Sequence, residues 1–396
     1  MLSAGHLVTD MPQGSLPAIL PFLIAAGGLS YTNAAGLTFA VAFSSSLIQP
    51  LFGIWADKKS MGWLIPAGPL MAGIGIALLG PLHGFYWLMF AAAIISGLGI
   101  AAYHPEAARM ANQLAGKKKG GGMSIFSVGG NIGFAIGPAL ATPAMLLLGL
   151  SGSAALAVPA LVMFIIFITQ LARMQGHVSV VQKEELAVAS SASAPKNEWG
   201  KFTWLTVAVI GRSIIFHNIN TFIPLYWIHV MNQSKATGGA LLTVMFVVGA
   251  ISTIIAGQLV DRFGANRIVR IGWAILVPLL FFLTRVTSPA LTLAFIVLIG
   301  IGLYTITTPM IVLGQKYLPG RVGLASGITL GLGVSIGGII APLVGRYADA
   351  HGLTAALQLL IILPVIGFIV AMTLKRPLTE KESGAKSTTP PQAAGY

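Results

Sequence analysis

Ionisable side chains interrupt two otherwise apolar stretches of the sequence. His6, Asp10 and Gln13 are spaced by four and three residues, so on a helix they share one face. In the second stretch, His104 and Glu106 stand two residues apart. Carboxyl and imidazole groups in such surroundings exchange protons near neutral pH, because burial and neighbouring charges shift their titration. The pattern therefore predicts proton exchange at Asp10, Glu106, His104 and His6.

Further polar groups interrupt apolar stretches elsewhere. Arg212 is the strongest, because a guanidinium in such a setting either pairs with a carboxylate or binds an anionic substrate through its fork of donors. Hydroxyl and amide side chains in apolar stretches either line a cavity or bond back to their own helix. The candidate substrate-binding residues are Arg212, Gln13, Asn131, His217, Asn220, Tyr304 and Thr308.

The composition says what surrounds these groups. Of the 396 residues, 56% are hydrophobic and only 8% charged, whereas an ordinary globular domain carries about 25% charged residues. A soluble enzyme, a coiled coil and a disordered chain are excluded, and the protein resides in a bilayer. In a membrane protein the net charge of +13 reflects Lys and Arg in cytoplasmic loops, so no nucleic-acid partner is expected.

Apolar runs long enough to cross a membrane, about 20 residues each, number twelve. They lie near residues 3–25, 33–56, 61–81, 84–112, 121–149, 152–173, 202–229, 236–260, 267–286, 290–316, 322–348 and 353–374. The expected organisation is a six-helix bundle over 1–173, a cytoplasmic linker over 174–201, a second six-helix bundle over 202–374 and a flexible cytoplasmic tail over 375–396. The fold class is all-α and integral to the membrane.

The distribution of basic residues predicts the orientation. With the amino terminus in the cytoplasm, nineteen Lys and Arg residues fall on the cytoplasmic side and three on the opposite side. This excess predicts that both termini are cytoplasmic, in a plasma (inner) membrane.

The two halves repeat each other. A shift of 204 positions carries Gly133 onto Gly337, Pro105 onto Pro309, and one loop motif onto the other. An even number of spans per half gives both halves the same orientation, an arrangement typical of transporters with a site between the repeats.

The repeated loop motif combines a glycine, an aspartate and a basic residue. The first copy is Gly53, Asp57 and Lys58, and the second is Gly257, Asp261 and Arg262. The glycine permits close helix packing, and the aspartate can cap the start of a neighbouring helix. Here the sequence resembles the major facilitator superfamily, in which this pairing latches the cytoplasmic side. The resemblance implies a gate, with Asp57 near the start of helix 11, Asp261 near the start of helix 5, and Arg109 as a further member.

Two further segments resemble the fosmidomycin resistance branch of that superfamily. They are His-Leu-x-x-Asp in helix 1, from His6 to Asp10, and His-Pro-Glu-x-x-Arg in helix 4, from His104 to Arg109. Helix 5 adds Val-Gly-Gly-Asn, which ends at Asn131. This resemblance implies antibiotic efflux as the activity.

Several features have plainer interpretations. Glycines at four-residue spacing in helix 5 predict a smooth groove for a neighbouring helix. The tryptophans near span ends, Trp55, Trp63, Trp87 and Trp273, are expected to be interface anchors. The histidines form no His-x-x-x-His pattern and the chain has no cysteine, so no metal site is predicted.

Together these features predict a monomeric secondary transporter without a cofactor, in which two bundles rock about a central cavity. The preferred function is export of a small polar or anionic compound in exchange for protons. Proton-coupled uptake of an organic anion is the alternative, because the fold does not reveal direction. A third hypothesis is a membrane-embedded enzyme using His104 and Glu106, although no nucleophile or metal accompanies them. The buried acids and Arg109 could also be ion pairs that merely tie helices together.

Overall fold

The computed structural model describes residues 1–27, 29–58, 61–114, 119–185, 197–318, 325, 328–329 and 333–374. Its α-helices are α1 Leu2–Ala25, α2 Tyr31–Lys58, α3 Leu64–Ala77, α4 Tyr86–Leu114, α5 Lys119–Leu148, α6 Ala157–Glu185, α7 Trp199–His229, α8 Lys235–Phe263, α9 Ala265–Leu283, α10 Pro289–Thr305, α11 Thr307–Tyr317, α12 Gly333–His351, α13 Leu353–Leu359 and α14 Ile362–Thr373. A 3₁₀ segment, Gly149–Leu156, joins α5 to α6.

These helices form twelve spans, because α10 with α11 and α13 with α14 each make one interrupted span. Within the described residues, seven helical stretches are long and apolar enough to cross a membrane, and one of them, of 50 residues, contains both α5 and α6. The remaining helices do not meet both conditions: α1 is less apolar and α3 is shorter. The predicted all-α membrane fold is confirmed.

Two breaks follow from single residues. The tenth span is interrupted at Ile306, between α10 and α11, three residues before Pro309. Proline has no N–H and its ring clashes with the carbonyl four residues earlier, here that of Thr305, the last residue of α10. Gly264 separates α8 from α9 with a φ of 80°, a left-handed conformation that glycine adopts at little cost.

Three boundaries differ from those expected. The sequence predicts both gate motifs in loops. In the structure α2 continues to Lys58 and α8 to Phe263, so both motifs lie at helix ends. In the same way, α6 runs to Glu185, well into the segment assigned to a flexible linker. Of the three, α8 ends where Gly264 adopts a φ of 80°, a conformation outside the helical region.

The glycines of α5 form the predicted groove, and α1 occupies it. A Cβ added to Gly129 would lie 2.0 Å from the carbonyl oxygen of Ser3, and one added to Gly133 would lie 2.3 Å from that of Leu7. Such distances leave no room for a side chain, so the backbones of α1 and α5 approach closely. This contact fixes the face that α1 turns towards the centre of the molecule.

The second half repeats this packing with α12 against α7. A Cβ on Gly337 would lie 2.3 Å from the carbonyl oxygen of Ser213 and 2.6 Å from its hydroxyl. Gly133 and Gly337 differ by 204, whereas their contacts Leu7 and Ser213 differ by 206. A sequence offset of 203 would match Asp10 with Ser213, but the helix contact gives an offset of 206 instead. The packing register instead makes Arg212 the counterpart of His6 and Phe216 the counterpart of Asp10.

We call the membrane end at which α1 begins the terminal end, and the end at which α1 finishes the distal end. At the distal end the two halves meet along two seams. In the first, Asp349 of α12 accepts hydrogen bonds from the backbone N–H groups of Tyr31 (2.8 Å) and Thr32 (2.9 Å) at the start of α2. A carboxylate there satisfies donors that a helix start leaves unpaired.

The second seam joins α5 to α8. A Cβ on Gly239 would lie 1.9 Å from the hydroxyl of Thr142, so the two helices are in close contact. The ammonium of Lys235 lies 4.9 Å from the ring centre of Phe22. Here the helix start is capped within its own segment, because Ser234 accepts from the N–H of Thr237 at 3.2 Å.

One expected interface anchor is instead a core residue. Trp273 is fully buried, whereas Trp55, Trp63 and Trp87 are exposed as predicted. A Cβ on Gly367 would lie 2.5 Å from the Trp273 ring, so a glycine of α14 makes space for the indole. Position near a span end does not reveal which side of a helix faces its neighbours.

Candidate functional site

A central cavity of about 530 Å³ lies between the two halves. Both halves line it, with α1, α2, α4 and α5 on one side and α7, α8, α10 and α11 on the other. Of the eleven residues predicted to bind protons or substrate, ten line this cavity and only Glu106 does not. The ten are His6, Asp10, Gln13, His104, Asn131, Arg212, His217, Asn220, Tyr304 and Thr308.

His6, Asp10 and His104 form a compact triad at the cavity wall. The Nε2 atom of His6 lies 3.1 Å from Oδ2 of Asp10, and Nε2 of His104 lies 3.2 Å from Oδ1. The two Nε2 atoms are 3.0 Å apart. Helical spacing puts His6 and Asp10 one turn apart on α1, and α4 brings His104 to them. The triad therefore joins two helices.

The surroundings of the triad hold both rings in place. Nδ1 of His6 lies 2.7 Å from the carbonyl oxygen of Phe126, and Nδ1 of His104 lies 2.8 Å from that of Ile100. The His6 ring also stacks on the Phe126 ring with centres 4.3 Å apart. Gly130 provides the space, because a Cβ there would lie 2.6 Å from both the Asp10 carboxylate and the His6 ring.

These contacts determine where protons can be. A carbonyl oxygen only accepts hydrogen bonds, so Nδ1 of each ring carries a hydrogen. In neutral imidazoles, both Nε2 atoms would then present lone pairs to each other and to the Asp10 carboxylate. One added proton on either Nε2 turns that nitrogen into a donor to its neighbours, whereas two would oppose N–H groups at 3.0 Å. The geometry therefore fits a triad that holds one extra proton.

Glu106 occupies a separate environment. Its carboxylate is fully buried and hydrogen-bonds the guanidinium of Arg109, one turn along α4. It does not border the cavity, so Glu106 lies apart from Asp10, although the sequence predicts proton exchange at both residues. A two-residue separation turns Glu106 about 200° around the helix from His104.

Arg212 on α7 stands on the opposite wall. Its guanidinium lies 5.6 Å from the ring centre of Phe216 and 3.4 Å from the carbonyl oxygen of Leu303. In the described parts of the chain, no carboxylate lies within ion-pair distance of it. A charge inside a membrane is costly without a partner or a wet cavity, so this cation is available to a ligand.

Two more polar groups lie further along α7. Nδ1 of His217 donates to the carbonyl oxygen of Ser213 at 3.1 Å, which leaves Nε2 as the other nitrogen of the ring. Asn220 is 6% exposed, and its side-chain oxygen has no hydrogen-bond partner among the described residues. Both side chains border the cavity.

Sequence spacing missed some features of the site. The ligating atoms of His6, Asp10 and His104 lie within 4.8 Å of one another, a cluster that a search for His-x-x-x-His does not detect. Thr38, Phe134 and Phe216 also line the cavity, and phenylalanines carry no sequence signal for such a role.

The gate candidates are only partly described. The side chains of Asp57, Lys58 and Asp261, the side chains at the start of α5, and the expected start of helix 11 lie outside the described residues, as do the surroundings of Gly53. Arg262 stacks on Phe263, with its guanidinium 5.2 Å from the ring centre. No described atom lies within 4 Å of a Cβ placed on Gly257, so the close packing expected there is not made by described residues.

Comparison with known proteins gives the family. The sequence model of the Major Facilitator Superfamily matches residues 2–342. An uncharacterised MFS-type transporter of Bacillus subtilis, YfnC, is 29% identical over 377 residues, which are 92% of this chain and 89% of the relative. The fosmidomycin resistance protein of Escherichia coli is 28% identical over 371 residues, 93% of this chain and 90% of the relative.

Solved structures agree on the fold. A bacterial homologue of the lysosomal transporter Spinster, in an inward-facing and occupied conformation, superposes with a TM-score of 0.77 at 14% identity, over 95% of this chain and 96% of the other. A D-xylose–proton symporter superposes with a TM-score of 0.72 at 15% identity, over 96% and 97%. With twelve spans in two related halves around one cavity, the chain belongs to the Major Facilitator Superfamily and is a secondary transporter of small molecules, not an enzyme.

Proposed function

We propose that this transporter couples the movement of a small polar anion to protons, with the proton held by His6, Asp10 and His104. The observation that carries the proposal is the pair of Nε2 atoms 3.0 Å apart, both beside one carboxylate and both on rings whose Nδ1 atoms donate to carbonyls. A simple structural ion pair needs one imidazole. A second imidazole aimed at the first is unfavourable unless a proton lies between them.

Proton binding would also act on the packing of the helices. With the proton present, an N–H on α1 or α4 donates across the interface to Asp10 or to the other ring. Without it, lone pairs and a carboxylate face one another, and the contact between the two helices weakens. Because α1 and α4 line the cavity, the protonation state biases the conformations that the transporter visits. In this scheme Glu106 and Arg109, which pair with each other within α4, take no direct part in coupling.

Arg212 would bind the anion. Its guanidinium borders the cavity without a carboxylate partner in the described residues, and its planar fork matches carboxylate and phosphate groups. Gln13, Asn131, Tyr304 and Thr308 border the same cavity and would supply further polar contacts.

We infer export in exchange for protons, as antibiotic efflux, from the similarity to the fosmidomycin resistance protein. One observation favours the alternative of proton-coupled uptake. Protonation of the triad removes a negative charge from the cavity that holds Arg212, which strengthens anion binding. Two ligands that favour each other's binding are suited to move together.

A pH jump separates the two directions of coupling. Proteoliposomes that contain the transporter are loaded with fosmidomycin and diluted into buffer of a different pH. Exchange for protons predicts faster release when the outside is more acidic, and joint movement predicts faster release when the inside is more acidic. Release that is insensitive to both pH steps would contradict proton coupling.

We further propose that residues 1–173 and 202–374 form the two rocking bundles, joined by 174–201, in a monomer in the inner membrane. The terminal end would face the cytoplasm, where Asp57 and Asp261 would gate the cavity and 375–396 would form a tail. The nineteen basic residues on that side support this orientation. A reporter inserted within residues 187–195 is expected to be cytoplasmic, and a periplasmic signal would contradict the topology.

A further inference from the structure

Distal to Arg212 along α7, the cavity has a second set of polar groups. His217 and Asn220 follow Arg212 by five and eight residues, which is about 7.5 and 12 Å along a helix. All three border the cavity. A ligand whose anionic end is at Arg212 would therefore extend towards them.

The role of His217 in hydrogen bonding is fixed by its own helix. Nδ1 lies 3.1 Å from the carbonyl oxygen of Ser213, so Nδ1 must be the donor. In the neutral ring Nε2 is then an acceptor, and no hydrogen bond to it is made by any described residue. Arg212 and His217 both contact the Phe216 ring, and a second buried cation beside the guanidinium would be costly.

Two further residues that line this cavity carry side-chain oxygens without a hydrogen-bond partner in the described chain. The side-chain oxygens of Asn220, 6% exposed, and of Thr38 on α2, 9% exposed, make no hydrogen bond within the described residues. A Cβ on Gly338 of α12 would lie 2.2 Å from Ala42 and 3.9 Å from the His217 ring, so α12 packs against both α2 and α7 here. Thr38 lies one turn distal to Ala42, and Asn220 lies about one turn distal to His217.

Unpartnered polar groups that are more than nine-tenths buried are rare in proteins, because a buried donor or acceptor that is left unsatisfied destabilises the fold. From this arrangement we infer that His217, Asn220 and Thr38 form a second subsite, which binds an O–H or N–H group carried by the substrate. The substrates would then be small anions with a hydroxyl or amide donor at the end remote from the charge. This inference rests on the proposed anion site at Arg212.

Paired probes test the subsite directly. Alkylphosphonates of three to six carbons, each with and without a terminal hydroxyl, are titrated calorimetrically into the purified transporter in nanodiscs. One hydrogen bond contributes about 0.5–1.5 kcal/mol, so we expect the hydroxylated member of the best-fitting pair to bind up to about tenfold more tightly.

Substitutions locate the effect. His217→Phe should abolish the hydroxyl preference while the plain alkylphosphonate binds as before, and His217→Gln, which keeps an acceptor, should retain part of it. Thr206→Val is the matched control on α7, because its hydroxyl bonds its own helix at Phe202 and does not border the cavity. It should leave the preference intact.

The outcomes separate the two proposals. Equal affinity for both members of every pair, or a preference that survives His217→Phe, would overturn the subsite and leave the anion site standing. A wild-type protein that binds no alkylphosphonate would overturn the anion site and the subsite together.

Discussion

At positions that correspond in the packing of the two halves, the two walls of the cavity carry different charged groups. On the α1 wall, His6 and Asp10 are one turn apart and compensate each other, with His104 completing the group. On the α7 wall, the counterparts are Arg212 and Phe216, so a cation stands where an imidazole does but no acid follows it. Instead, the guanidinium lies over a phenyl ring.

This difference shows how two related halves can carry different binding sites, one for a proton and one for an anion. When an acid lies one turn from an imidazole, the two groups satisfy each other, and the charge of the group changes only when it gains or loses a proton. A cation with an aromatic ring one turn away has its position fixed but its charge uncompensated. The first wall therefore supports the proposed proton site and the second the proposed anion site, although both helices are held by the same glycine contacts.

The largest expected effect comes from removing the acid of the first wall. Asp10→Asn leaves no anion to stabilise the extra proton, so transport driven by a pH gradient should fall to background. Exchange of labelled substrate without a gradient should survive, because the cavity keeps its shape. Glu198→Gln, at an acid paired with Lys201 away from the cavity, is the matched control. Gradient-driven transport by the Asp10 variant would contradict the role of the triad.

Removing the cation of the second wall should cost affinity and not coupling. Arg212→Gln loses charge-assisted hydrogen bonds worth about 1.5–3 kcal/mol, so anion affinity should fall by about 10- to 100-fold. Arg212→Lys keeps the charge and loses the fork, so a smaller loss is expected. The measurement is titration of an anionic substrate, and unchanged affinity in the Gln variant would exclude Arg212 as the anion ligand.

Adding an acid to the second wall tests whether charge compensation is what distinguishes the two walls. Phe216→Asp puts a carboxylate one turn from Arg212, as Asp10 stands one turn from His6. The new pair should compensate the guanidinium and lower anion affinity about as much as Arg212→Gln does. Phe216→Leu, which removes the ring without adding charge, is the control. If both substitutions had the same small effect, charge compensation would not distinguish the walls.

A smaller effect is expected at the distal end, where the two seams also differ. Asp349 caps α2 from across the first seam, whereas Ser234 caps α8 locally. Asp349→Asn weakens a cap worth about 1 kcal/mol, so opening at the distal end should rise about fivefold. Ser234→Ala should not favour opening in this way.

The chain has no cysteine, so a single introduced one reports this opening. Thr38→Cys, which borders the cavity, would be labelled from the distal side by a membrane-impermeant thiol reagent. Equal labelling rates in the Asp349 and Ser234 variants would contradict a one-sided latch.

The smallest expected effect is at Glu106. Because its carboxylate binds Arg109 and does not border the cavity, Glu106→Gln should leave pH-driven transport within about threefold, while thermal stability falls through the weakened buried pair. If Glu106→Gln lost as much pH-driven transport as Asp10→Asn, Glu106 would have to be part of the coupling site.

Much of the site was predictable because helical periodicity is visible in sequence. His6, Asp10 and Gln13 fall on one face by spacing alone, and all three border the cavity. Glu106 shows the limit of this reasoning. Charge inside an apolar run indicates that a residue is unusual, but the direction in which the helix turns it decides whether it faces the cavity or a neighbouring helix.

By itself, the sequence determined the membrane setting, the twelve spans and the repeat, because these depend on composition, run length and constant offset. Only the tertiary structure decided that His104 joins His6 and Asp10, and that Arg212 corresponds to His6. Both depend on how far one helix slides and rotates against another. The close approach of α1 to the glycines of α5, and of α7 to those of α12, sets that register to within a residue, which no spacing along a single helix reveals.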